Sequence, residues 1–230
     1  MRFALIGKDI AHSRSPAIYK KLISPNIQYD LIDVPEVGLL PPLDKLASIY
    51  QGINITSPYK RFYFSSLKID DKDVQTLGAI NTVCFSEEGW LGTNTDLIAV
   101  REILQEFQQK HSKLHLLILG SGVMSSVTVL AAQKLNLNYQ VFDRQMGLTP
   151  ASDLGRFYQE GAKNIIINAC SRDFIFTGAI HPQTIFWDYN YAVVDHHSTL
   201  PAKVESYIDG QELLLRQAQA AAKFWRMSKY

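Results

Sequence analysis

This chain of 230 residues is poor in several features, and each shortage excludes a class of protein. Cysteine occurs only twice, as Cys84 and Cys170, far apart and with no CxxC pair. That predicts buried or incidental thiols in a reducing compartment, with no disulfide framework. Neither sign of charge is in excess: 23 Lys and Arg face 22 Asp and Glu, for a formal net charge of +1. Nucleic acid and anionic membrane surfaces are therefore not expected partners. Long hydrophobic runs are also missing. The apolar run near the start, Phe3 to Gly7, is too short for a signal-peptide core, and no other segment approaches a membrane span. A cytoplasmic protein is the expectation. His196 and His197 have no further ligand at metal spacing, so no metal site is expected and the pair is assigned to an exposed loop. Repeats, charge runs and low-complexity linkers are absent from the sequence.

What the sequence does contain is alternation. With 47% hydrophobic and 20% charged residues, the chain can bury a full core. Strand-length apolar runs alternate with helical patterns, which predicts α/β architecture. Strands are expected at 2–7, 27–34 and 51–56, with a helix at 15–23 entered through Ser15 and Pro16. Three prolines between the second and third strands leave room for one short helix near 43–49. Residues 79–96 read as a hairpin turning at Glu87-Glu88-Gly89, followed by a helix from Asp96 to about 111. The pattern then restarts. "LHLLILGSG" (114–122) is a strand running into glycines, followed by a helix over 123–136 and strands at 139–144, 164–170 and 184–190. One helix is placed at about 152–160, between the second and third of those four strands. This second half reads as a compact Rossmann-like unit. A last helix at 211–227 has no strand after it and must dock on something already built.

The segment "GINITSPYK" (52–60) puts Asn54, Thr56 and Lys60 where an apolar strand ends. A lysine there becomes a proton-transfer group if a carboxylate lies close, and Asp96 in "GTNTD" is the candidate partner. Asp96 would equally serve as a helix N-cap. Ser13 and Ser15 in "HSRSP" sit two apart, suited to one carboxylate; Ser15 alone would also fit a cap. Asn81 lies in an apolar strand and needs partners, either a ligand or a neighbouring backbone. Gln217 falls in the middle of the apolar face that Leu213, Leu214, Ala220, Ala221 and Phe224 define on the last helix. "GSGVMS" (120–125) fits G-x-G-x-x-small, a spacing met equally by a plain strand-to-helix turn and by a phosphate cradle. Trp90, Trp187 and Trp225 are assigned to packing.

Taken together these stretches resemble the shikimate dehydrogenase family. The carriers, in order, are "IGKDIAHSRSPAIY" (6–19), "GINITSPYK" (52–60), "LGAINTV" (77–83), "GTNTD" (92–96), "LLILGSG" (116–122), "IINA" (166–169), "DYNY" (188–191) and "DGQELLLRQAQAAAKFW" (209–225). The resemblance implies reversible oxidation of shikimate to 3-dehydroshikimate with NADP, in aromatic amino-acid and chorismate biosynthesis. It implies a catalytic pair of Lys60 and Asp96, and a substrate carboxylate held by Ser13 and Ser15. Asn54, Thr56, Asn81 and Gln217 would contact the substrate, and Tyr191 would close the pocket from the far side. It further implies an N-terminal α/β substrate domain (1–100 and 209–230) and a reduced Rossmann-like domain (101–208), the last helix returning to the first domain. A small-molecule substrate and a monomer or homodimer are the matching expectations.

The departures cluster in the nucleotide-binding half. The family's G-A-G-G-A-[AS]-R is here "GSGVMSS", so Gly120, Ser121, Gly122 and Val123 form the cradle, with Val123 in place of a glycine. After the second strand of that half stand Asp143 and Arg144, one suited to the ribose of NAD and the other to the 2′-phosphate of NADP. NADP is the expected cofactor, NAD the other possibility. A strand and helix of the usual domain do not fit between Arg144 and Asn164. Two other readings follow: a shikimate-binding or regulatory relative with impaired cofactor binding, and a dehydrogenase for quinate or another cyclohexane acid.

Overall fold

The computed structural model describes residues 1–191 and 193–227. The chain forms two compact units, one comprising Met1–Ile98 together with the chain from Leu215 onward, the other Ala99–Leu214.

In the first unit a five-stranded sheet has the order β2-β1-β3-β4-β5, with β1 at Arg2–Gly7, β2 at Gln28–Asp33, β3 at Gly52–Ile55, β4 at Thr82–Ser86 and β5 at Gly89–Thr93. β1 runs parallel to β2 and β3, and the hairpin β4–β5 joins antiparallel to β3. The hairpin turns through Glu87 and Glu88, and Gly89 takes φ 131°, a backbone that a side chain would strain. α1 (Ser15–Leu22) carries Pro16 in its first turn, and α2 (Leu43–Ala47) starts after Pro42. α3 (Lys72–Leu77), which periodicity alone does not suggest, is written in its caps. The Asp71 carboxylate accepts from the N–H groups of Asp73 and Val74, and Gly78 closes the helix in the left-handed region at φ 63°. α4 (Thr95–Lys110) begins in the first unit and passes into the second after about one turn.

The last helix, α7 (Gln211–Met227), has an apolar face differing by several positions from the expected one. Leu213, Gln217, Ala218, Ala221, Ala222 and Trp225 are buried, while Leu214, Ala220 and Phe224 are half-buried. Small alanines let the helix approach the sheet, and Trp225 then stacks on Phe3 at 4.3 Å between ring centroids. Its indole N–H donates to the Val83 carbonyl at 2.9 Å. Fully burying one such aromatic removes about 150–250 Å² from water, which makes this contact a principal anchor of the helix. Gly52 of β3 has no room for a Cβ, which would meet the same indole and lie 2.8 Å from the Val83 carbonyl.

The second unit is a wholly parallel sheet in the order β10-β9-β8-β6-β7: β6 at Leu114–Leu119, β7 at Asn138–Phe142, β8 at Lys163–Asn168, β9 at Thr184–Asp188 and β10 at Ser206–Ile208. The full Rossmann order is 3-2-1-4-5-6; here β7 is an edge strand, and no strand lies beyond it among the described residues. α5 (Val123–Lys134) follows β6, and α6 (Val194–Thr199) follows β9. The core is built from Leu117, Leu119, Phe142, Ile166, Phe176, Phe186 and their neighbours.

Two expectations are corrected here. No helix spans 152–160; only a single 3-10 turn occurs, at Gly155–Phe157. Asp153 accepts from the Gly155 N–H at 2.9 Å, and the N–H groups of Leu154 and Gly155 go to the Ala179 carbonyl. The segment therefore spends its donors on a neighbouring loop and on a local turn. His196 is not in an exposed loop. It is fully buried in α6, its Nδ1 lying 2.6 Å from Asp188 Oδ2 and its Nε2 accepting from the Phe176 N–H at 2.8 Å. His197 is exposed as expected, although it stands in α6. Both cysteines are free thiols, and burial pushes the Cys170 thiol up to about 11. No described helix is long and apolar enough to cross a membrane.

Candidate active site

Strand register builds the floor of the site. Asn54 of β3 stands opposite Leu5 of β1 on one side and Thr82 of β4 on the other. Its Nδ2 donates to the Thr82 hydroxyl at 3.0 Å and to the Asn81 carbonyl at 3.2 Å, and its Oδ1 accepts from the Tyr29 hydroxyl at 2.7 Å. Both hydrogens of the Asn54 amide are therefore committed within the protein. Tyr29 is stacked on Tyr19 at 4.7 Å between centroids, and both rings are buried. The Tyr19 hydroxyl has no water access and turns toward Asn54 without closing a full hydrogen bond; burial holds its phenol well above the usual range. Burial also raises the Tyr29 phenol, and Ser15 lies within reach of its oxygen.

Lys60 and Asp96 are brought together. The ammonium Nζ lies 2.8 Å from Asp96 Oδ2, with side-chain exposures of only 10% and 11%. Lys60 is fixed in the chain by its own carbonyl, which accepts from the Ile80 N–H at 2.8 Å. Asp96 does not cap α4. That work is done by Asn94, whose Oδ1 accepts from the Leu97 N–H at 3.0 Å and whose Nδ2 donates to the Ala79 carbonyl. Asp96 sits instead in the first turn, where the helix dipole favours negative charge and the carboxylate is left to the lysine. Such a pair is costly to desolvate and strongly destabilised if one partner is removed.

Ser13 and Ser15 are also adjacent, Oγ to Oγ 3.2 Å, and the Ser15 N–H donates to Ser13 Oγ at 3.3 Å. Ser15 is the first residue of α1 and no side chain caps that helix, so the capping role open to Ser15 is not used. Thr56 follows β3, its N–H held by the Ile6 carbonyl at 2.8 Å and its side chain half-buried. Asn81 serves a neighbouring backbone: its Oδ1 accepts from the Thr95 N–H at 2.7 Å. Gln217 Oε1 accepts from the Thr95 hydroxyl at 3.4 Å. Seven of the nine expected catalytic and substrate residues thus lie on elements joined by these contacts or by strand pairing in the first unit. Thr56 is an eighth by its place at the end of β3, while Tyr191 belongs to the second unit, its ring 5.7 Å from the Arg172 guanidinium carbon. Sequence reasoning passed over Tyr19, Tyr29, Thr82, Asn94 and Thr95. For Thr82, Asn94 and Thr95 the signal was the run of polar groups "NT" and "TNT" at the ends of apolar strands, each needing a buried partner; the two tyrosines carried no such mark.

In the second unit Gly120 takes φ 107°, and a Cβ there would press on the backbone of Ala169 and Cys170 at 3.2–3.3 Å, so a glycine is required for strand packing alone. Gly122 opens α5 with no side-chain cap, and a Cβ on it would meet nothing within 4 Å. Ser121 and Gly122 are exposed and Val123 half-buried. Asp143 follows β7 directly and spends one carboxylate oxygen on the Met146 N–H at 3.0 Å, whereas Arg144 is exposed. The helix start is thus open for an anion, and the charge beyond β7 is weighted toward Arg144.

A family model described as the shikimate dehydrogenase substrate binding domain matches residues 5–83, the segment holding the serines, Asn54, Thr56, Lys60 and Asn81. The chain is similar to the shikimate dehydrogenase family over this segment. A shikimate dehydrogenase (NADP(+)) from Aeropyrum pernix is 36% identical over 99 residues, 42% of this chain and 36% of that protein's length. A relative of the same name from Oceanobacillus iheyensis is 27% identical over 249 residues, covering 96% of this chain and 90% of its own. Among solved structures, shikimate 5-dehydrogenase from Thermus thermophilus, in complex with NADP(H) and shikimate, superposes with a TM-score of 0.73. It is 22% identical and covers 98% of this chain and 93% of that one, a likeness of fold. Against three of the curated relatives, the chain spans only 36%, 62% and 47% of their length.

Proposed function

We propose that this protein belongs to the shikimate dehydrogenase family and oxidises shikimate reversibly to 3-dehydroshikimate with NADP. The observation that carries the reading is the buried Lys60–Asp96 pair, 2.8 Å apart, with the two adjacent serine hydroxyls, Asn81 and Gln217 in the same unit. Oxidation of a secondary alcohol removes a hydride from the ring carbon and a proton from its oxygen. Lys60 and Asp96 take that proton in oxidation and return it in reduction, the positioned acid–base role that the pair's geometry suits. Ser13 and Ser15 hold the carboxylate, and Asn81, Thr56 and Gln217 meet the ring oxygens. Asn54, with both amide hydrogens committed, supports the floor.

The open start of α5 and the exposed Arg144 fit the pyrophosphate and 2′-phosphate of NADP. When bound, that cofactor supplies the hydride acceptor. The relatives' names and the NADP(H) and shikimate complex of the Thermus thermophilus enzyme support NADP over NAD. Absorbance at the nicotinamide band, with shikimate or quinate and either NADP or NAD, tests the reading. Turnover of shikimate with NADP is expected; reduction with quinate alone would replace the substrate, and no reduction in any combination would remove the activity.

A further inference from the structure

Asn81 is held from one side only. Its Oδ1 accepts from the Thr95 N–H at 2.7 Å, from the Thr95 hydroxyl at 3.1 Å and from the Thr82 hydroxyl at 3.1 Å. Its Nδ2 makes no hydrogen bond among the described residues, and it is not among the polar atoms sealed from solvent. A backbone N–H can only donate, so it fixes which end of the carboxamide faces inward. Turning the amide over would set its NH₂ against the Thr95 N–H and lose that bond outright, while the two hydroxyls would have to turn from donating to accepting.

Thr95 is well placed to do this. It is wholly buried, β-branched and the first residue of α4, whose start is pinned by Asn94 to both Leu97 and Ala79. Its hydroxyl has one hydrogen and two carboxamide oxygens within reach, Asn81 Oδ1 at 3.1 Å and Gln217 Oε1 at 3.4 Å. The Thr82 hydroxyl, which accepts from Asn54, can satisfy Asn81 when Thr95 serves Gln217.

We propose that Thr95 is a positioning residue that locks the Asn81 carboxamide with its oxygen inward and its NH₂ presented to the ligand, so that this subsite accepts only an oxygen with a free lone pair. The recognition half of this inference rests on the reading of the site as a shikimate site. An alcohol and a ketone both carry such an oxygen, so one locked donor serves substrate and product alike, and no amide flip is needed between the two directions.

The test has two arms on the full-length protein. In the first, the side-chain NH₂ resonances of Asn81 are assigned by their disappearance in Asn81→Asp, and the nitrogen order parameter of its Nδ2, which reports reorientation of the carboxamide, is measured without ligand. Thr95→Val should lower it, and Thr95→Ser should restore it. An equal order parameter in wild type and Thr95→Val overturns the positioning role of the Thr95 side chain. In the second arm, calorimetry should show the shikimate dissociation constant rising about fivefold in Thr95→Val, the scale of one lost hydrogen bond, and returning in Thr95→Ser. A lowered order parameter with unchanged affinity would overturn the recognition role. A wild type that binds no shikimate would instead sink the substrate reading, with the first arm still deciding on Thr95.

Discussion

The Lys60 ammonium and the Asp96 carboxylate lie 2.8 Å apart, and they arrive from different places: Lys60 from the turn after β3, Asp96 from the first turn of α4. Asn94 takes the capping duty that would otherwise occupy Asp96. This division of labour between neighbouring residues frees an acid–base pair, and it gives the first prediction. Lys60→Met should lower kcat by roughly 100-fold or more, the scale of a lost acid–base group, with KM little changed. A variant that loses affinity but keeps kcat would assign Lys60 to binding alone. Because the pair is buried, the variant's thermal unfolding should be recorded beside the kinetics.

The serines are predicted to act on affinity. Each of Ser13→Ala and Ser15→Ala should weaken shikimate binding by about 1–3 kcal/mol, the range for hydrogen bonds to a charged group. Ser15 does not cap α1, so Ser15→Ala should leave helix stability unchanged, which separates its ligand role from a local one, whereas Ser13 Oγ also accepts the first N–H of the helix. Calorimetry on the cofactor-free protein reads the effect. Unchanged affinity in the double variant would leave the two hydroxyls without a ligand.

Most of this was legible because burial leaves a mark on sequence. β1, β6 and β8 carry apolar runs at 3–6, 116–119 and 165–167, and polar residues at their ends or in their neighbours stand out against that background. Ser13, Ser15, Asn54, Lys60 and Asp96 could be picked out on those grounds, with the resemblance supplying their roles. What could not be read were elements whose stability comes from tertiary partners. β10 has only three residues, Ser206–Ile208, and exists because β9 lies beside it. α6 has little periodicity and is tied down by His196 reaching Asp188 and the Phe176 N–H. The segment 152–160 has the length for a helix, yet Gly155 and the competing carboxylate of Asp153 turn it into a loop.

A pH dependence of stability follows from His115 in β6. Burial holds this imidazole below its ordinary value of 6.5, and the lowering prevails over the opposing bond to the Phe157 carbonyl. Its Nδ1 meets the Asn138 side-chain amide at 3.2 Å, consistent with a neutral ring. The sign is set by proton counting: between the depressed folded value and 6.5 the unfolded chain binds more protons than the folded one. The stabilisation is therefore full above about 6.5 and is lost as the pH falls toward the folded value. Urea midpoints between about pH 5 and 7.5 should decline toward the acid end, and His115→Gln should flatten that part of the decline. An identical slope in the variant would assign the acid sensitivity to other groups.

The cofactor prediction concerns the half of the chain that departs most from its relatives. β7 is an edge strand here, so the adenosine end of a nucleotide loses the support of the next strand and helix, and Val123 stands where the family has a glycine. Both changes should weaken binding of either nucleotide. The charges beyond β7 decide the preference between them. Asp143 repels a 2′-phosphate, but one of its carboxylate oxygens is engaged by the Met146 N–H, while Arg144 is exposed and attracts the phosphate. A mild preference for NADP is expected from this balance. Asp143→Asn keeps an oxygen for the Met146 N–H and removes the negative charge, so it should tighten NADP and leave NAD nearly unchanged. Fluorescence titration of both nucleotides against wild type and variant measures this. Tight NADP binding by the wild type would show that the missing strand and Val123 do not weaken the site, and equal tightening of both nucleotides in the variant would show that Asp143 does not discriminate the 2′-phosphate.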